Sequence, residues 1–151
     1  MFLNGETKGH FLLGAHLDYH GLDYKVSENF SVGPFQLSGG PLGTDGKPGF
    51  KIFDLTVKPK GNGKPAGFIG TITSSEYIRN LHFVRPKILT PKGAENIAGR
   101  AAGILASVAN KVQEVSQIYL EDLTIDWLGH GDRTPDKQCV GGLFGYLDSK
   151  E

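Results

Sequence analysis

The first residues that could do chemistry lie near the amino end. His16, Asp18 and His20 are spaced i, i+2, i+4, with His10 and Asp23 close by. On a strand, that spacing puts two imidazoles and a carboxylate on one face. Such a set suits zinc or another divalent metal. The alternative is a solvated strand face with no ligand. A second set is acidic: Asp54, Glu76, Glu95, Glu114, Glu121, Asp122 and Asp126. Asp122 and Asp126 flank Leu123-Thr124-Ile125 and would point the same way on an extended strand. Their Cα atoms would then be about 13 Å apart. Paired glycosidase carboxyls need roughly 5 to 9.5 Å, so the carboxylates read as scattered. A third set is aromatic. Trp127, Tyr119, Tyr77 and Tyr146 could stack on a sugar if they share an exposed face, although Trp127 could equally cap a core. The single cysteine, Cys139, excludes an internal disulfide and a cysteine-based zinc cluster, and reads as a small buried hydrophobe. Lys58, Lys60 and Lys64 read as a solvated loop.

The elements that would position these groups show in the glycines. Twenty-two of 151 residues are Gly and eight are Pro. Each interior Gly weakens a helix by roughly 1 kcal/mol relative to Ala, so a helical bundle is excluded. Nine Phe, five Tyr and 38% hydrophobic residues can build a core, which excludes disorder. Sixteen basic residues balance sixteen acidic ones, against an electrostatic nucleic-acid binder. No apolar run approaches the length of a membrane span, and the N-terminus lacks the form of a signal peptide. The length suits one domain, residues 1–151.

Three segments repeat. Ala66-Gly67-Phe68-Ile69-Gly70-Thr71-Ile72, Ala102-Gly103-Ile104-Leu105-Ala106-Ser107-Val108 and Gly141-Gly142-Leu143-Phe144-Gly145-Tyr146-Leu147 share one form. Two small residues lead into an apolar pair, then a small, a variable and an apolar residue. The marker glycines are Gly67, Gly103 and Gly142, at spacings of 36 and 39. The repeats lie near residues 66–89, 102–125 and 141–151. An apolar-x-x-apolar-x-apolar element recurs at Ile52–Val57, Ile78–Phe83 and Val115–Leu120. Alternation predicts short strands with Phe68, Gly70 and Ile72 inward, as with Ile104, Ala106 and Val108. Leu55/Val57, Leu81/Phe83 and Ile118/Leu120 form a second inward set. Each repeat is too short to bury its own apolar face, so stacking is required, as in solenoids.

Residues 94–119 also fit a helix. Ile97, Ala101, Ile104, Val108, Val112, Val115 and Tyr119 recur at steps of three and four. The parallel with the Gly- and Thr-rich stretch 66–83 favours strand, with room for a short helical turn at Ala94 to Arg100. A helix over 94–115 would instead make an α/β domain. Turn-rich loops are expected at 38–48, with Asp45-Gly46 at its tip, at 58–65 and at 130–137.

Gly141-Gly142-Leu143-Phe144-Gly145 resembles the GLUG motif, a Gly-Leu-x-Gly core. Ala66-Gly67-Phe68-Ile69-Gly70 is a near match, and Ala102-Gly103-Ile104-Leu105-Ala106 ends in Ala rather than Gly. The resemblance covers roughly residues 10–149. It implies a right-handed parallel β-helix or β-solenoid, all-β, of about four rungs with loop insertions. It also implies a non-catalytic structural or binding module of a bacterial surface or secreted protein, extracellular, part of a longer chain, without cofactor. Adhesins and the non-catalytic regions of IgA-specific metallopeptidases carry such repeats. The partner would be a host or cell-surface glycan or protein, with Trp127 and Tyr119 as the candidate contacts. The alternative is a carbohydrate-active β-helix enzyme, a polysaccharide lyase or hydrolase. The third repeat starts at Gly141 without the strand expected after it. An open end of this kind implies further chain or self-association.

Overall fold

The structure is a computed structural model, which describes residues 9–20, 31–32, 35–58, 66–89, 100–126 and 138–148. The described residues contain strands and no helix. In chain order the strands are β1 (Gly9–Leu12), β2 (Leu17–Asp18), β3 (Ser31–Val32), β4 (Phe35–Ser38), β5 (Ile52–Phe53), β6 (Thr56–Val57), β7 (Ile69–Ile72) and β8 (Ser75–Val84). They continue with β9 (Lys87–Leu89), β10 (Arg100–Ala102), β11 (Ala106–Asn110), β12 (Val112–Glu121), β13 (Thr124–Asp126), β14 (Gln138–Val140) and β15 (Phe144–Asp148).

The protein is all-β, and the strands pair in parallel. The largest sheet curls through β1, β4, β8, β5 and β2, with β12 on the other edge of β8. A second sheet runs β15-β11-β7-β3, a third β13-β9-β6, and β10 pairs with β14. Segments 69–89 and 106–126 visit three of these sheets in the same order, residue beside residue. Ile69 lies beside Ala106, Ser75 beside Val112, and Lys87 beside Thr124.

The stretch with helical spacing is therefore strand from Arg100 onward; residues 90–99 lie outside the described residues. The spacing inside the two long strands departs from strict alternation for a local reason. Asn80 and Gln117 take positive φ, 58° and 51°, inside β8 and β12. One left-handed residue in a strand resets its alternation, as in a bulge. The buried positions thus fall at Ile78, Leu81 and Phe83, three and then two apart. Their neighbours Val115, Ile118 and Leu120 copy that rhythm.

The repeat alignment needs correction by one residue. Ala66 bridges Ala102, and Ala102 lies beside Val140. The next residues in register are Gly67, Gly103 and Gly141, so the third marker is Gly141, not Gly142. Beyond this turn Ala106 lies beside Ile69 and Phe144, rather than Gly70 and Gly145. Two residues separate Ala66 from Ile69, whereas three separate Ala102 from Ala106 and Val140 from Phe144. The turn absorbs the extra residue, which a comparison of letters cannot register.

The glycine column has a steric origin. A Cβ on Gly67 would sit 2.8 Å from the Ala106 Cα. On Gly103 it would sit 2.6 Å from two carbonyl oxygens, and on Gly141 it would run into the Phe144 oxygen. On Gly142 it would meet only side-chain atoms, 3.3 Å away or more. The core lies inside, built from Leu37, Ile52, Leu55, Val57, Phe68, Ile69, Ile78, Leu81, Phe83, Ile88, Ile104 and Leu105. Burying each such side chain contributes about 1.5–3 kcal/mol.

Candidate functional site

Leu81 and Phe83 face the core, so His82 between them faces outward; even so it is only 1% exposed. Register accounts for part of its cover. Tyr119 lies beside His82 on β12, and the two rings are 5.7 Å apart and tilted by 47°. Two residues further on, Glu121 turns back. The His82 Nε2–H donates to its Oε2 at 2.8 Å. The other ring nitrogen, Nδ1, is buried without a hydrogen-bond partner, as is Oδ1 of Asn80.

The second part of the site is a loop. β4 ends at Ser38 beside Arg79, and β5 resumes at Ile52 beside Phe83. Three residues of β8 thus face the thirteen of 39–51, and the surplus must leave the sheet. It does so as a small hairpin. Leu42 bridges Pro48 antiparallel, Asp45 Oδ1 accepts the Lys47 N–H at 3.0 Å, and Gly46 takes φ 73°. The Asp-Gly pair forms its tip, as Asp-Gly chemistry predicts. Both ends are anchored. Asn80 Nδ2 donates to the Gly40 oxygen at 3.1 Å. At the return, the Lys51 N–H donates to Nδ1 of His16 at 3.0 Å, and the His16 ring packs edgewise on Phe50 at 5.9 Å.

Charge links loop and strand. The hydrogen bond from His82 holds the Glu121 carboxyl below its ordinary range; partial burial opposes this, and the fields of His82, Lys51 and Lys47 add to it. Tyr119 and Glu121 thus form a polar and aromatic patch over the buried His82, within the field of Lys47 and Lys51. Such a surface can stack on a ring and exchange hydrogen bonds with hydroxyls or a carboxylate.

A different cluster marks the corner that follows β5, β8 and β12. Asp54, Arg85 and Asp122 all take positive φ there, 55°, 53° and 56°. The Arg85 Nε–H and Nη2–H donate to the two Asp54 oxygens, each at 2.8 Å. This fork lowers the Asp54 carboxyl from its ordinary range, and Asp54 in turn raises the Arg85 guanidinium. Asp122 and Asp18 add to the field on Arg85.

The candidates from the sequence are dispersed. His16, Asp18 and His20 do not lie along one extended strand: β2 holds only Leu17 and Asp18, and His20 takes φ 50° with its Nδ1 3.4 Å from the Asp18 Oδ2. Asp18 accepts the His20 N–H at 2.8 Å, while His16 anchors the loop. Among the described residues no group of three or more His, Cys, Asp or Glu is placed to hold a metal. Tyr119 is in the face described above. Tyr77 shares its sheet, with the Arg79 guanidinium 4.3 Å over its ring. Tyr146 belongs to a different sheet, and Trp127 lies outside the described residues. Asp122 sits at the corner and Asp126 ends β13, so they do not flank one extended strand. Sequence reading missed His82 and placed Glu121 only among scattered carboxylates. Their signal was the 37-residue register that brings His82 beside Tyr119, and it is visible only once the strands are aligned. No family model, curated protein or solved structure matches this chain.

Proposed function

We propose that the chain is a right-handed parallel β-solenoid of about four rungs, of the GLUG-repeat kind. It serves as a non-catalytic binding and display module of a bacterial surface or secreted protein. The observation that carries this reading is the register itself. Successive segments lie beside one another strand for strand, and the surplus residues 39–51 are pushed out and strapped onto the outer face. A scaffold of that form holds a loop and an aromatic patch at fixed positions. The ligand is a surface glycan or protein contacting Tyr119, Glu121 and Lys47. Glycan arrays and pull-downs with the native chain test this. Binding should fall roughly tenfold or more in Tyr119→Ala and in Lys47→Glu. Equal binding by both variants would reject this face as the contact, and no ligand at all would leave a spacer.

The corner column of Asp54, Arg85 and Asp122 favours a second reading, a carbohydrate-active β-helix enzyme, because such enzymes set clustered Asp with Lys or Arg on the parallel sheet. Depolymerase assays on uronic-acid polymers, with and without calcium, separate the two readings. Turnover lost in Asp122→Asn would favour the enzyme.

A further inference from the structure

Two arginines close together in the chain are used in opposite ways. Arg85, just beyond β8, is forked to both oxygens of Asp54. Arg79, within β8, has no ion-paired carboxylate among the described residues. Its guanidinium carbon stands instead 4.3 Å over the centre of the Tyr77 ring. Tyr77 and Arg79 flank the buried Ile78 and share the outward face, with Tyr77 half-buried and Arg79 exposed. Small residues lie beside Arg79 on both neighbouring strands, Ser38 on β4 and Ser116 on β12. The acids of the adjacent row are held by other donors. The Gln36 amide donates to Glu76, and the Ser116 hydroxyl donates to Glu114 at 2.6 Å.

A guanidinium is a planar fork of N–H donors that fits a carboxylate. Resting on an aromatic ring, it keeps one orientation while its edge faces solvent. The same outward face carries the patch of Tyr119 and Glu121. Ser116 lies beside Arg79, and Tyr119 lies beside His82. The two contacts are therefore three residues apart along β12, roughly 10 Å. Exposed Gln117 stands between them. Loop 39–51 borders this interval, since it leaves β4 beside Arg79 and returns to β5 beside Phe83. Protein hot spots are built on desolvated aromatic and arginine anchors in packed pockets. This strip instead offers ionic, amide and hydroxyl groups around two rings, the set that meets sugars.

We propose that the outer face of β8 and β12 binds an acidic oligosaccharide lying along the strands, with a sugar carboxylate on Arg79 and a neutral sugar of the same chain against Tyr119 and Glu121. The order of the two contacts follows from charge. Glu121 accepts hydrogen bonds from hydroxyls and repels a carboxylate, so the acidic sugar belongs at Arg79. Tyr77 is a positioning residue, which holds the fork in place from beneath. One sugar does not span roughly 10 Å, so chain length is part of recognition. Once one contact is made, the second forms within the same complex and strengthens binding. This rests on the binding-module reading above, and adds to it a ligand class and a second contact.

The test is an array of disaccharides and long glycans, each acidic chain beside its carboxyl-reduced form, probed with the native chain, Arg79→Ala and Arg79→Lys. The native chain should bind long acidic chains about tenfold or more tightly than the disaccharides and the reduced forms. Arg79→Ala should lose about tenfold on the acidic chains and nothing on the reduced ones. Arg79→Lys keeps the charge without the fork, and should fall between native and Arg79→Ala. Equal native binding to acidic and reduced chains overturns the inference and leaves the binding-module reading standing. So does an Arg79→Ala variant that binds acidic chains as the native chain does. Binding to no glycan at all overturns both together. If circular dichroism shows Arg79→Ala unfolded, Arg79→Lys decides, and native-level binding by it overturns the proposal.

Discussion

Ile88 and Ile125 are the same residue type, paired side by side in one sheet, yet Ile88 is 0% exposed and Ile125 is 42% exposed. The pair stands for two whole regions. In segment 66–89, Ile78, Leu81 and Phe83 are buried. Their partners Val115, Ile118 and Leu120 in segment 102–126 hold the same register and remain partly open. Local sequence is not the cause, since both stretches form a ten-residue strand bent at one left-handed residue. Position in the stack is. A residue in a layered sheet is covered best when a strand lies on each side of its own, and among the described residues segment 102–126 lacks one such neighbour on its sheets β12-β8 and β13-β9-β6.

The comparison can be broken most directly with paired truncations. Ile88→Ala should cost about 2–5 kcal/mol, the usual range for a buried Ile. Ile125→Ala should cost much less, about 1 kcal/mol, because Ile125 is 42% exposed and its truncation leaves no closed cavity. Chemical denaturation measures both, and equal losses would contradict the stack as described. The glycine column sharpens the register. Gly141→Ala should cost about 1–3 kcal/mol or more through overpacking on the Phe144 carbonyl. Gly142→Ala should be much milder, because the Leu123 side chain can yield. The reverse order would restore the alignment that equates Gly142 with Gly103.

Acid offers a finer probe. Glu121 and Asp54 both have carboxyls held below their ordinary values of 4.5 and 3.8. For a lowered carboxyl, the stabilisation is present above the unfolded-state value and is lost as pH falls through the folded one. Stability should therefore be level from neutral pH to about 4.5 and fall below it. Glu121→Gln should flatten part of that fall, as read by melting temperature against pH. The smallest effect is expected from Arg85→Lys. It removes the fork to Asp54 on an exposed corner, where ion pairs contribute little, and should shift the melting temperature least.

Much of this arrangement could be read from the chain alone. The Gly excess excluded a helical bundle, and the parallel with the Gly- and Thr-rich stretch 66–83 favoured strand over the helical spacing of residues 94–119. Leu81 and Phe83 were assigned inward, and both are buried. Gly67 and Gly103 stand out in the sequence as repeated small residues, and each is packed against backbone. The site was much less legible. His82 and Glu121 are 39 residues apart, and no local pattern ties a histidine in one strand to a glutamate in the next. His16 looked like a metal ligand because alternation assumes a straight strand, and the chain near Asp18 is extended for only two residues.

The sequence by itself favoured the strand class and determined the apolar rhythm and two of the points where only glycine fits, Gly67 and Gly103, because these depend on side-chain volume and backbone freedom within a few residues. Tertiary structure alone decided the register, the burial of His82 beside Tyr119, and the contrast between Ile88 and Ile125. Those depend on which strand lies alongside, and a turn that gains one residue shifts that neighbour without altering the local pattern.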